Sequence, residues 1–133
     1  MRQQNKIIFA GLLAALASVS VFVMPASATW IEGDTAQLQA LDKITARIST
    51  LIAPINKPID FGTLSIVVKR CAYHPPEDTP EDAGFLNIVD RGHDKSAPGK
   101  RVFSGWMFSS SPAISALEHP VYDITLLACV STE

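Results

Sequence analysis

Apolar and polar positions alternate along most of the chain beyond residue 35, and this period of two predicts β-strands. The clearest strand runs from Thr63 to Tyr73, where β-branched residues are frequent and Leu64, Ile66 and Val68 share one face. Alternation also predicts a strand at 36–41, for which a helix starting at Asp34 is the competing interpretation. Further strands are predicted from Ile44 towards Pro54 and at 84–90, 101–109 and 121–130.

Proline and serine positions predict the breaks between these strands. Three prolines between residues 75 and 80 exclude ladder pairing there, so residues 74–82 are expected to form a loop. Ser111 followed by Pro112 is a helix-start signal, and Pro120 prevents the helix from continuing, so one short helix is expected from Pro112 to Glu118.

These elements together predict an all-β fold. We expect a small, mostly antiparallel sandwich or barrel of about six strands with one short helix. The domain is expected to span residues 36–133 and to follow an N-terminal tether at residues 29–35.

The first 28 residues have the three parts of a secretory signal peptide. Arg2 and Lys6 provide positive charge, residues 7–24 are uncharged and mostly apolar, and Pro25 to Ala28 supply a breaker and small residues. We therefore expect export to the periplasm with cleavage after Ala28. Because 18 residues are just long enough to cross a bilayer, an uncleaved anchor is the alternative.

Removal of this segment changes the composition of what remains. The full chain of 133 residues is 47% hydrophobic with a net charge of −2. Without Arg2 and Lys6 the balance is nine basic against thirteen acidic residues, a net charge of −4. A weakly acidic domain of this size has no nucleic-acid footprint, and we expect no membrane span after the leader is removed. Its apolar fraction excludes disorder.

Two cysteines, Cys71 and Cys129, remain after the expected cleavage. In an oxidising compartment such a pair indicates one disulfide, which closes a loop of 58 positions and stabilises the fold by about 4 kcal/mol in the chain-entropy model. The alternatives are a catalytic thiol or a redox couple, although neither cysteine lies in a C-x-x-C motif or beside a histidine.

Several strings in the chain resemble a family of exported alphaproteobacterial proteins classed as a domain of unknown function. The strings are Val102–Phe108 (VFSGWMF), Ser110–Pro112, Ala116–Asp123 (ALEHPVYD), Phe61–Leu64 (FGTL), and Cys71 with Pro75–Glu77. The family's two cysteines correspond to Cys71 and Cys129. The resemblance implies an envelope protein and brings no assigned reaction.

Two of these strings contain the residues that we single out for function. Apolar residues on both faces of residues 103–108 are typical of core packing or of a strand that docks a partner. The titratable groups at 118–123 are typical of a structural corner or of an acid-base site. The candidate interaction face comprises Trp106, Phe108, Glu118, His119, Tyr122 and Asp123.

No set of histidines and carboxylates has the spacing of a metal site, so we expect no metal and no cofactor. The leading hypothesis is a non-catalytic periplasmic module, monomeric, that binds an envelope protein or another envelope component. One alternative is a small hydrolase or acid-base enzyme centred on His119 and Asp123. The other is a carrier of a small apolar ligand.

Overall fold

Eight antiparallel strands form the domain in the computed structural model, which describes Met24, residues 29–115, Leu117 and residues 119–132. The predicted signal peptide and its cleavage site after Ala28 therefore lie outside the described residues, apart from Met24. The strands are β1 (Ile31–Glu32), β2 (Thr35–Asp42), β3 (Arg47–Pro54), β4 (Pro58–Phe61), β5 (Leu64–Tyr73), β6 (Asp82–Asp90), β7 (Lys100–Phe108) and β8 (Tyr122–Val130).

Two sheets stack as a sandwich, which confirms the predicted fold class. The larger sheet has the order β1-β5-β6-β7, and β4 pairs with the same edge of β5 as β1 does. β4 pairs with Leu64 to Val67 at the start of β5. β1 pairs with Ala72 and Tyr73 at its end. The smaller sheet has the order β3-β2-β8.

The core fills the space between the sheets because each central strand directs alternate residues inward. β2 contributes Ala36, Leu38 and Ala40, all fully buried. The larger sheet and β8 meet them with apolar side chains that are also buried, namely Leu64, Ile66, Val68, Leu86, Ile88, Met107, Ile124 and Leu126.

The disulfide joins the two sheets through this core. Cys71 of β5 and Cys129 of β8 are bonded, with their Cα atoms 5.7 Å apart, and both are buried. The predicted disulfide between Cys71 and Cys129 is confirmed.

The sequence pattern missed two short strands. Residues 29–35, expected as a tether, contain β1 and the first residue of β2, and the Gly33 amide donates to the Cys71 carbonyl at 2.8 Å. Pro58–Phe61, for which the sequence pattern predicted no strand, forms β4. Both segments are too short to show a period of two, and only their pairing with β5 makes them strands.

The predicted strand beginning at Ile44 starts later than expected. The Asp42 carboxylate accepts the Ile44 amide at 2.9 Å and the Thr45 amide at 3.2 Å, and Ala46 has a φ of 56°. This side-chain-to-backbone bonding favours a turn over a ladder, so β3 begins at Arg47.

The described residues contain no helix, so the short helix predicted from Pro112 to Glu118 is not found there. The Ile114 amide donates to the Ser111 carbonyl at 3.1 Å, which is a single turn, and Ala116 and Glu118 lie outside the described residues. Leu117 is 4% exposed and joins the core cluster that includes Met107 of β7. A Cβ at Gly105 would lie 3.9 Å from the Ser115 hydroxyl oxygen, so this connection passes beside β7.

Across the described residues, no helix is long and apolar enough to span a membrane.

We expect the double substitution Cys71→Ala with Cys129→Ala to lower the free energy of unfolding by about 4 kcal/mol, because the unfolded chain regains the entropy of a 58-residue loop. Urea unfolding followed by circular dichroism measures the change. A loss below about 1 kcal/mol would show that sheet packing alone holds the sandwich.

Candidate functional site

The structure divides the predicted interaction face into two regions. Trp106 and Phe108 lie on the outer face of the larger sheet, and Trp106 is the cross-strand neighbour of Phe85. His119 instead contacts Asp90, at the opposite end of β6. Phe85 and Asp90 are five positions apart along β6, so their Cα atoms are about 17 Å apart. Glu118 lies outside the described residues.

The first region is a shallow slot that crosses the strands of the larger sheet, with a volume of about 370 Å³. We call it the tryptophan slot, and it is lined by Trp30, Glu32, Arg70, Ala72, Ala83, Trp106 and Phe108. Pairing places Glu32, Ala72, Ala83 and Phe108 in one row across β1, β5, β6 and β7. The row spans about 14 Å, and its two central residues are alanines, which form a low floor.

Two indole rings stand at the sides of this floor, and both are exposed to solvent. Trp106 is 40% exposed and packs edge-on against Phe85, with ring centroids 5.5 Å apart. Trp30 is 42% exposed and packs against His74 at 4.1 Å. Large aromatic side chains left exposed around a concavity are typical of a binding surface rather than of core packing.

A pair of opposite charges lines the same slot. The Arg70 guanidinium donates to the Glu32 carboxylate, and both side chains are more than 60% exposed. An exposed ion pair of this kind contributes little to stability. Donors and an acceptor for a bound partner are therefore available beside the two indoles.

The second region, the His119 corner, is a hydrogen-bonded network that borders a pocket of about 410 Å³. His119 is 8% exposed, and its Nδ1 accepts the amides of Val121 at 3.1 Å and Tyr122 at 3.2 Å. Because Nδ1 is an acceptor, Nε2 carries the proton and donates to Asp90 Oδ2 at 3.1 Å. Both ring nitrogens are engaged, so the side chain holds the entry into β8.

Asp90 is held ionised by its surroundings. The Gly92 amide donates to Asp90 Oδ1 at 2.9 Å, and the Thr63 hydroxyl and His119 also donate to the carboxylate. These hydrogen bonds, with that of Gly92 the largest contribution, lower the pKa of Asp90 from 3.8 to about 2.

Tyr122 closes the corner by packing. Its ring stacks on His119 with centroids 5.2 Å apart and meets Phe61 edge-on at 5.4 Å. Gly62 lies under this ring with a φ of 58°, and a Cβ there would fall 2.3 Å from the Tyr122 hydroxyl oxygen. Glycine is therefore the residue that this turn requires.

His119 and Asp123, on which the alternative hydrolase is centred, are not hydrogen-bonded to each other through their side chains. Asp123 pairs with Lys43 at 2.7 Å, and Lys43 also donates to the His119 carbonyl at 2.9 Å. Ser109 and Ser110 hydrogen-bond to Glu81. Among the described residues there is also no group of three or more His, Cys, Asp or Glu side chains suited to a metal ion.

The sequence pattern missed five residues of the tryptophan slot, namely Trp30, Glu32, Arg70, Ala72 and Ala83. The one sequence feature that could have indicated the slot is Trp30, an isolated tryptophan in the segment expected as a tether. The other four are ordinary strand residues that only the cross-strand register assembles.

Comparisons with known proteins agree on the class of protein. A family model described as an uncharacterized protein conserved in bacteria, DUF2155, matches residues 36–129. The chain is 29% identical over 90 residues to an uncharacterized protein of Rickettsia prowazekii, an alignment that covers 68% of the chain and 57% of that relative. The chain thus spans a little over half the length of the curated relative that it matches. No solved structure matches significantly.

We expect Asp90→Asn to destabilise the fold at pH 7 by about 1 kcal/mol, after allowance for solvent screening at this partly exposed carboxylate. The wild-type advantage is present above the unfolded-state pKa of 3.8 and is lost as the pH falls towards 2, because Asp90 then takes up a proton. Urea unfolding at several pH values measures this difference, with Asp78→Asn on the exposed 74–81 loop as the control. A wild-type advantage that stays constant from pH 7 to pH 2 would contradict the assigned role of the carboxylate.

Proposed function

We propose that this chain, which belongs to the DUF2155 family of uncharacterized bacterial proteins, is a non-catalytic binding module of the bacterial envelope. The module holds a partner protein in the tryptophan slot. The observation that carries this proposal is the slot itself, where two exposed indoles flank an alanine floor beside an exposed arginine–glutamate pair.

Two features support an envelope location. The first 28 residues have the pattern of a secretory signal, with cleavage proposed after Ala28. The buried bond between Cys71 and Cys129 is of the kind that persists in oxidising compartments such as the periplasm, whereas cytosolic thiols are kept reduced.

The residues of the slot are suited to recognising a protein. Tryptophan and arginine are the residue types that most often carry binding energy at protein interfaces, and they act from pockets that a partner desolvates. The length of about 14 Å admits one large apolar side chain and its neighbours in an extended segment. The Arg70 guanidinium and the Glu32 carboxylate would exchange their mutual hydrogen bond for bonds to the partner's backbone or side chains.

The His119 corner favours a binding role over a catalytic one. A general base needs a free lone pair, whereas Nδ1 of His119 accepts two backbone amides and Nε2 is bonded to Asp90. The slot also opens on the outside of a sheet, unlike the interior cavity of an apolar-ligand carrier, and the space between the sheets is filled by core side chains.

Site-specific photo-crosslinking in intact envelopes tests the proposal. A benzoylphenylalanine residue is placed at position 106 and, as a matched control, at position 127, because Trp106 and Leu127 are 40% and 41% exposed but lie on different sheets. We expect one or a few discrete protein adducts from position 106 and none of these from position 127. With the cross-linker at position 85, beside Trp106, the additional change Trp106→Ala is expected to reduce the adducts at least about tenfold, the effect of a hot-spot residue.

The same adducts from both positions, or none from position 106, would contradict binding through the slot. Thermal unfolding of each variant controls for the fold, since Trp106 lies outside the core cluster and its replacement is expected to leave the sandwich intact.

A further inference from the structure

The outer strand of the smaller sheet, β3, presents an apolar edge. Its exposed residues include Ile48 at 60% and Ile52 at 56%, and both point to the outer face together with Thr50. Arg47 is the one charged residue of the strand. No backbone hydrogen bond of the described residues outside the sheet ladders engages residues 47–53, so the side of β3 away from β2 is free there.

The other sheet edges carry features that block strand addition. β1 and β4 are only two and four residues long, and β7 begins with Lys100 and Arg101. On β8, the Asp82 carboxylate accepts the Cys129 amide at 2.8 Å from the facing sheet. Short strands, charged residues and covered amides are the usual protections of an edge against another chain, and the stretch 48–53 of β3 has none of them.

We infer that β3 pairs with β3 of a second copy of this chain, antiparallel and centred on Thr50. A two-fold interface requires a strand that is complementary to itself. In this register Ile48 faces Ile52 of the other copy, Ser49 faces Leu51, and Thr50 faces Thr50. Paired β-branched residues directly opposite each other are favourable across antiparallel strands.

The distribution of charge permits this pairing. Arg47 of each copy lies opposite Ala53 of the other, so the two arginines stand at opposite ends of the interface and no like charges face each other. A centre one residue away, at Ser49 or Leu51, would leave the isoleucines on the outer face but set one of them opposite Thr50 and the other opposite Ala46 or Pro54, so both isoleucine pairs would be lost.

The area of the interface predicts a reversible dimer. One edge of seven residues buries much less than the roughly 800 Å² per partner that is typical of a stable complex. We therefore place the pairing in the weak class, with dissociation in the micromolar range or above. The proposed dimer differs from the monomer expected from the sequence. Because the slot lies on the other sheet, the dimer would present two tryptophan slots and bind a repeated partner with higher avidity.

Charge-swap variants at Thr50 test the pairing by sedimentation velocity over a range of concentrations, with the protein purified after export. We expect wild type to shift towards the dimer as its concentration rises, and Thr50→Lys and Thr50→Glu each to remain monomeric, because like charges then face each other across the two-fold axis. An equimolar mixture of the two variants is expected to recover the dimer at least as well as wild type.

Thr125→Lys is the matched control, because Thr125 lies in the same row of the same sheet, on the far side of Gln39 from Thr50. It is expected to dimerise like wild type. A monomeric wild type at all concentrations, a Thr50→Lys variant that still dimerises, or a mixture that stays monomeric would each overturn the inference. These outcomes are independent of cross-linking at position 106, so failure of one proposal does not imply failure of the other.

Discussion

The rest of the structure depends on the bond between Cys71 and Cys129, since it sets the position of one sheet on the other. Because strand residues alternate between faces, an inward Cys71 directs its neighbours Arg70 and Ala72 outward into the tryptophan slot. The Cys71 carbonyl also accepts the Gly33 amide, which brings β1 and the adjacent Trp30 to the same part of β5. The covalently linked part of the core and the tryptophan slot therefore share the same stretch of β5. In a domain of about 100 residues, whose net stability is small, such a constraint is a large share of the total.

Long strands and their disulfide could be predicted from the sequence because alternation and cysteine count are local signals. The central strand at 64–73 and its link to the C-terminal strand are examples. The short strands β1 and β4 could not, since two or four residues show no period and become strands only by pairing with β5. Of the residues that line the slot, the sequence singled out Trp106 and Phe108. Ala72 and Ala83 become neighbours only through the register of three strands. The same register separates Trp106 from His119, which proximity in the sequence had grouped.

The His119 corner and the tryptophan slot differ in how their polar groups are used. At the His119 corner, polar groups satisfy each other and anchor the turn into β8, so the histidine is engaged in structure. On the outer face of the larger sheet, exposed indoles and an exposed ion pair leave binding groups free in the slot. The proposed pairing of β3 would bring two such surfaces together. A small scaffold with one cross-link would then carry two interaction surfaces, both outside its single core.

Iodide quenching of tryptophan fluorescence measures directly whether the tryptophan slot is open, because the chain has two tryptophans and both line the slot. Single-tryptophan variants, Trp30→Phe and Trp106→Phe, separate the two signals. We expect iodide to quench each indole in the free protein, although less than it quenches a free indole, because each ring is about two-fifths exposed. Emission from either variant that iodide does not reduce would show that this ring is covered, and the slot would not exist as an open surface.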